Sequence, residues 1–312
     1  MNWKTNIITI IVLFFVSCGK EKETETIEKE TKSFSGLVHT ADLDREFDGS
    51  SIKFIDFSNK ETYLKAHLPD AIHLTRADIE TTSYPYKGMR IEKKDLEKLL
   101  SNLGIKNEDT IIVYDDNSSV NAARFWWVMK SYGFDNIAIL NGGIKAWEND
   151  NRFTSNSTPK QEKSDFIFPE QEFTGLATKK DVTASLNNAN AYIIDTRTAD
   201  EYSGKRQKKG AFRAGRIPKS TFIDWVNAID YEDSQLFKSK AELEKIYNTK
   251  GWSTDHEIIA YCHTGVRSAH TYFVLTELLG YKNVKNYDGS WSEWSYFNDL
   301  PISKDSITRL NK

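Results

Sequence analysis

The chain has 312 residues, of which 39% are hydrophobic and 28% charged, with a mean hydropathy of -0.57; this is globular composition with apolar material for roughly two domains of about 150 residues. Whole-chain disorder, a collagen repeat and a multi-span membrane protein are excluded. The 42 Lys and Arg against 45 Asp and Glu leave a net charge of -3, so no overall field draws nucleic acid or an anionic membrane, and any electrostatic recognition has to be local.

Residues 1–4 are a short cationic start, residues 7–16 an apolar run interrupted only by Thr9, and Ser17-Cys18-Gly19 follows. A bilayer span needs about 20 apolar residues, and this run is roughly half that. It therefore reads as the apolar stretch of an export signal. A cysteine directly after Val16-Ser17 resembles the lipobox of bacterial lipoproteins, with Phe15 at a position where Leu is usual. The resemblance implies a signal peptide over 1–18, lipid on Cys18, and a protein tethered outside the cytosol to a bacterial membrane, on its periplasmic or cell-surface side. An ordinary secretory peptide or an uncleaved anchor is the alternative. Residues 19–36, with 20–32 almost wholly Lys, Glu and Thr, have nothing to bury and read as a solvated tether, although the Glu/Lys spacing also permits a transient helix.

Beyond the tether, apolar periodicity predicts a strand over 54–57, a helix over 93–103, a strand over 111–114, a helix over 121–132 and a strand over 137–140. A Ser-, Thr-, Pro-, Lys- and Glu-rich stretch over 154–172 is the natural linker. The pattern then returns: a strand over 192–195, a helix over 240–248, a strand over 257–261, a helix over 268–279 carrying Ala269, Tyr272, Phe273, Leu275 and Leu279, a strand over 283–287 and a closing helix over 291–297. Residues 111–147 lie on 258–294 without a gap, matching Ile111 and Ile112 with Ile258 and Ile259, Tyr114 with Tyr261, Ala122 with Ala269, Gly133 with Gly280, Asn136 with Asn283, Gly142 with Gly289 and Trp147 with Trp294. Two copies of one α/β domain are expected, over 37–153 and 176–303, joined by 154–175 and followed by a tail over 304–312. Strands alternating with helices predict in each copy a parallel sheet covered on both faces, with ligands at the carboxyl ends of its strands.

That is where Cys262 falls. The sequence has two cysteines; with Cys18 used in export, Cys262 is the single thiol of the folded part, and an odd thiol in an exported protein is a candidate reactive group. The alternative is an inert cysteine packed as a small hydrophobe. Local context favours the first. Cys262-His263-Thr264-Gly265-Val266-Arg267 runs from a strand into a helix, so backbone N–H groups, the helix N-terminus and the Arg267 charge all favour thiolate over thiol. Gly265 suits the sharp turn. Thiol-dependent phosphatases use a similar loop but place five residues between Cys and Arg, whereas four lie between Cys262 and Arg267; the smaller ring suits a single sulfur atom.

The two tandem copies, the Cys-x-x-Gly-Val-Arg loop, the Asn286-Tyr287-Asp288-Gly289-Ser290-Trp291 stretch and the segment from Asp195-Thr196-Arg197 to Arg216-Ile217-Pro218 resemble two-domain rhodaneses, the thiosulfate sulfurtransferases, over residues 37–303. The resemblance implies that the second copy is catalytic and the first inactive. The first copy has Asp115 where the second has Cys262, and Val120 where it has Arg267. It further implies that Cys262 takes the outer sulfur of thiosulfate as a persulfide and passes it to cyanide or a small thiol, with no cofactor. Arg267 then binds the sulfonate end, and His263, Thr264, Gly265 and Val266 line the donor. Polar His263 and Thr264 tilt the reading to thiosulfate over 3-mercaptopyruvate, and a sulfur carrier without turnover is the remaining alternative. His263 is expected either as an added positive charge or as a solvent-facing donor.

Around the loop, Asp195 and Arg197 are expected as an ion pair bracing it. Lys205, Arg206, Lys208, Lys209, Arg213 and Arg216, six cations in twelve residues, read equally as a rim steering an anionic donor or as a solvated surface. Trp225 and Trp291 are candidates for the pocket wall or the core, and Trp126-Trp127 for helix packing. The six histidines are scattered and no metal-ligand spacing appears.

Overall fold

A computed structural model describes residues 36–44 and 52–305; the export stretch, the tether, Cys18 and the end of the tail lie outside them. The first copy runs β1 (Leu37–Val38), β2 (Ile52–Asp56), α1 (Lys60–Lys65), β3 (Ile72–His73), α2 (Lys93–Asn102), β4 (Thr110–Tyr114), α3 (Val120–Lys130), β5 (Ile137–Leu140) and α4 (Gly143–Asn149). The second runs β6 (Leu176–Ala177), α5 (Lys179–Ser185), β7 (Ala191–Asp195), α6 (Ala199–Ser203), β8 (Thr221–Phe222), a small antiparallel pair β9 (Ile229–Asp230) and β10 (Leu236–Phe237), α7 (Lys240–Tyr247), β11 (Glu257–Tyr261), α8 (Val266–Phe273), β12 (Val284–Tyr287) and α9 (Ser290–Tyr296).

The two large sheets are wholly parallel and have one topology. The first is ordered β1-β5-β4-β2-β3 and the second β6-β12-β11-β7-β8, strand for strand the same. The central strands β4 and β11 come from the runs TIIVY and EIIAY, buried throughout except at Glu257. Continuous apolar runs of this kind belong to strands covered on both faces.

The copies meet through α3 and α8. Trp126 packs edge-on against Phe273 with ring centroids 5.0 Å apart. One apolar core takes Phe125 and Trp127 from the first copy together with Phe237 and Phe273 from the second, while each sheet keeps a separate core on its outer face. Trp126-Trp127 is thus helix packing as expected, and it also seals the two halves together.

Residues 154–172 have linker composition but lie against the first copy. Phe166 and Phe168 are buried, their rings tilted against Phe134 and Tyr132 at 5.5 and 5.4 Å, and the Ser164 N–H donates to the Ser101 carbonyl at 2.9 Å. Two aromatic anchors among otherwise exposed or half-buried residues suffice to pin the strap. The helix expected over 268–279 begins earlier, at Val266, because Gly265 makes the turn with φ 73°, and it closes through a π-type turn over Val274–Leu278. Among the described residues no helix is long and apolar enough to cross a membrane.

Candidate active site

Cys262 follows β11, at the carboxyl end of the strand between β7 and β12. The loop is held from below by the start of α9. Ser290, at φ 50°, accepts the N–H groups of Cys262 and Gly265 on its hydroxyl at 3.1 and 3.0 Å and donates to the Tyr287 carbonyl at 2.7 Å. The Trp291 and Ser292 N–H groups take the carbonyls of Cys262 and His263 at 3.0 and 2.9 Å. A Cβ at Gly265 would stand 2.7 Å from the Asp288 carbonyl oxygen, so close approach as well as the positive φ requires glycine there.

The thiol is 1% exposed. Burial alone would push it up, but the Arg267 charge, the Ser268 N–H and hydroxyl and the Thr264 N–H outweigh burial and hold it below its ordinary value. A thiol biased towards thiolate in a dry loop is a nucleophile kept ready.

Arg267 does not present an open fork to the site. Its two terminal nitrogens bond the two carboxylate oxygens of Glu201 at 2.8 and 3.0 Å, with side-chain exposures of 13% and 3%. Glu201 is at once the third residue of the Thr198 capping box that starts α6, a Thr-x-x-Glu signal visible in the sequence. Burial raises the Glu201 carboxyl, but Arg267 overrides this and brings it from 4.5 to about 2. A depressed acid contributes stability that is present above its unfolded value and is lost as pH falls through the folded one. The melting-temperature gap between wild type and Glu201→Gln is therefore expected to be full at neutral pH and to close as pH falls from 4.5 towards 2. A pH-independent gap would refute this account.

His263 fits neither expectation. It is 6% exposed, bonds the Lys209 carbonyl through Nε2 at 3.1 Å, and is pushed by burial and the nearby Lys208 charge down to about 4. It is a neutral, covered ring, because residues 208–210 fold over it. The basic run divides by role. Arg213 bonds the carbonyls of Trp294, Ser295, Phe297 and Leu300 and so fastens the end of α9. Arg216 holds the Tyr202 carbonyl at 3.2 Å and pairs with Asp305 at 2.8 Å, away from the thiol. Lys205 faces Asp200 at 3.6 Å. Lys208 feels the Cys262 charge; burial lowers it, and Arg267 lowers it further.

Asp195 and Arg197 form the expected ion pair, both buried and 2.6 Å apart. Arg197 also donates to the Gly215 carbonyl at 2.8 Å and lies 4.6 Å over the Trp291 ring. Trp291 is core, its indole N–H bonded to the Arg213 carbonyl at 2.9 Å, and Trp225 packs edge-on to His270 at 5.0 Å.

The first copy explains the loop. Asp115, in the register of Cys262, accepts four backbone N–H groups on its own carboxylate: Asn117 at 2.9 Å, Ser119 at 2.8 Å, Asn121 at 2.8 Å and Ala122 at 3.1 Å. Burial pushes it up to about 6 against those bonds, which leaves it ionised at neutral pH. Asn117 and Asn121 are the counterparts of Thr264 and Ser268, whose N–H groups face the Cys262 sulfur. Two of the four amides that hold the tethered carboxylate in one copy therefore face a thiol in the other, while Ala269, the counterpart of Ala122, donates instead to the Gly265 carbonyl at 3.3 Å.

The first copy also reaches into the second. Arg124, fully buried, donates to Asp288 at 2.6 Å, to the Gly88 carbonyl at 2.9 Å and to the Gly265 carbonyl at 3.3 Å. Arg76 donates to the Thr264 hydroxyl at 3.2 Å. Neither arginine, nor Ser290, nor Ser268 carries a sequence signal of its role, because each acts on a loop far away in the chain or by a backbone turn. Among the described residues, no group of three or more His, Cys, Asp or Glu could hold a metal ion.

The rhodanese-like domain family matches twice, over residues 39–150 and 178–296. The chain belongs to the rhodanese family. Among its relatives, a Saccharopolyspora erythraea protein provisionally named thiosulfate sulfurtransferase is 35% identical over 273 residues, covering 85% of this chain and 95% of the relative. The sulfur carrier protein TtuD of Thermus thermophilus is 33% identical over 223 residues, covering 69% and 78%. Among solved structures, a complex of EanB with ergothioneine superposes with a TM-score of 0.79 at 20% identity, over 88% of this chain and 71% of that one, a likeness of fold. The matched segments place Cys262 in the second rhodanese-like domain and Asp115 in the first.

Proposed function

We propose that this rhodanese is a sulfurtransferase working through a persulfide on Cys262, with thiosulfate as donor and cyanide or a small thiol as acceptor. The observation that carries the reading is the shared position of two amides: in the first copy those of Asn117 and Asn121 hold an anion, and in the second their counterparts on Thr264 and Ser268 face a thiol already biased towards the anion. The Cys262 thiolate attacks the outer sulfur of thiosulfate, the bond between the two donor sulfurs breaks, and its electron pair leaves with sulfite. The new Sγ–S bond is then cleaved by the acceptor, which departs with the sulfur as thiocyanate when the acceptor is cyanide, and the thiolate returns. Two half-reactions through a covalent intermediate give ping-pong kinetics. The polar pair His263 and Thr264 supports thiosulfate over 3-mercaptopyruvate. The likeness to a carrier protein favours one further reading, in which the sulfur is held for a dedicated partner rather than discharged to small acceptors.

The N-terminal pattern extends the proposal to place: export, with lipid on Cys18. Intact mass tests both parts. Protein from its producing cells should carry lipid at Cys18, and on incubation with thiosulfate it should gain one sulfur atom that cyanide removes, with no gain in Cys262→Ser. Hydrolysis of an aryl phosphate without sulfur uptake would replace the reading by a phosphatase, and uptake that cyanide does not discharge would replace it by a carrier.

A further inference from the structure

An anionic donor needs a cation to meet it, and Arg267 is already forked onto Glu201. The other side of the loop supplies one from the first copy. Arg76 begins the 3-10 turn Arg76–Ile79 after β3. It pairs with Glu80 and donates to the Thr264 hydroxyl at 3.2 Å. Its side chain is 39% exposed, while its Nε is buried and makes no hydrogen bond to protein, which leaves donor capacity unspent. The contact is fixed by packing. A Cβ on Gly88, at φ 99°, would stand 2.4 Å from the Thr264 Cβ, so the first copy is pressed directly on this part of the loop. Lys208, whose neighbour Lys209 caps His263, feels the charges of Cys262, Arg267 and Arg76 together. Arg76 and Lys208 thus lie near the same loop, one from each copy.

We infer that Arg76 is a donor-binding residue of the Cys262 site, contributed by the copy that has no cysteine, and that it selects small oxyanionic sulfur donors over neutral ones. The inference rests on the sulfurtransferase reading for the identity of the donor, and on geometry alone for the preference for anions. A guanidinium suits the task because it meets an oxyanion with directed, charge-assisted hydrogen bonds.

Cys262 alkylation by iodoacetate and by iodoacetamide tests it, since the ratio of the two rates cancels thiol ionisation and reports only preference for a negative probe. Arg76→Gln should lower that ratio about tenfold, the loss of one charge-assisted contact, and Arg76→Lys should recover part of it. Lys94→Gln, which removes one exposed positive charge on α2, should leave the ratio intact. With thiosulfate, Arg76→Gln should raise KM about tenfold and change kcat little. An unchanged ratio and KM in Arg76→Gln would overturn the inference, as would an equal fall in Lys94→Gln, which would make the effect one of overall charge, or a fall in kcat with KM unchanged, which would make Arg76 a brace. A shifted ratio in a protein that takes no sulfur from thiosulfate would instead leave the anion site standing and remove the sulfurtransferase reading.

Discussion

Arg124→Met is expected to cost about 3–5 kcal/mol of stability, the usual result of stripping one partner from a buried ion pair, and to slow sulfur uptake at a cysteine in the other half of the chain. Arg124 has no exposure, its partner Asp288 is 3% exposed, and they stand 2.6 Å apart. The same guanidinium bonds two carbonyls, one of them Gly265 in the Cys262 loop, and lies 5.0 Å over the Trp127 ring. Methionine fills the space but leaves Asp288 with only the Arg90 N–H, at 3.0 Å, and frees the loop carbonyl. Urea unfolding and the rate of persulfide formation measure the two effects. The pairing predicts a partial rescue: Arg124→Met with Asp288→Asn should be more stable than the single variant, because the stranded charge is gone. Equal or lower stability of the double variant would show that the cost lies in packing rather than charge.

The second large effect belongs to Arg267. Burial opposes the Cys262 thiolate, and the Arg267 charge leads the influences that overcome it. In Arg267→Met the thiol should rise, and each unit of rise removes about tenfold of the thiolate at a pH below the titration. Glu201, left buried without its Arg267 partner, puts an uncompensated negative charge near the loop and adds to the rise. The expected outcome is a loss of roughly a hundredfold or more in sulfur uptake at neutral pH, regained as pH increases. The rate of alkylation by neutral iodoacetamide against pH reads this directly: the rise towards the plateau moves to higher pH in Arg267→Met and less far in Arg267→Lys. A profile that kept its position while uptake collapsed would mean that Arg267 acts on the donor and not on the thiol.

What the sequence discloses and withholds follows from the range of the forces involved. The strands over 137–140 and 257–261 match the structure to the residue, because a strand buried on both faces writes an unbroken apolar run and the repeat writes it twice. The two-residue strands β1, β3, β6 and β8 are too short to leave any period; pairing with a neighbour creates them. The Cys262–Arg267 loop is legible because its chemistry is contiguous. Glu201 was within reach through its capping box, yet its grip on Arg267 spans 66 residues and depends on α6 facing the loop. Arg124 is hidden more deeply, since a charged residue amid apolar α3 reads only as an interruption until Asp288 stands opposite it. For His263 the default for a polar loop residue fails, since residues 208–210, distant in sequence, roof it over.

The Asp115 carboxylate has an architectural consequence. A receptacle with a permanent tenant keeps its form without help, whereas one that fills and empties each cycle must keep its walls upright while vacant. In the cysteine-bearing half that duty falls to the Ser290 hydroxyl, which occupies the amides of Cys262 and Gly265 whatever the sulfur carries; the equivalent position in the other half is Gly143, at φ 56°, with no side chain to lend. One half has become a strut by swallowing its own guest, and the other stays a tool by being propped from behind.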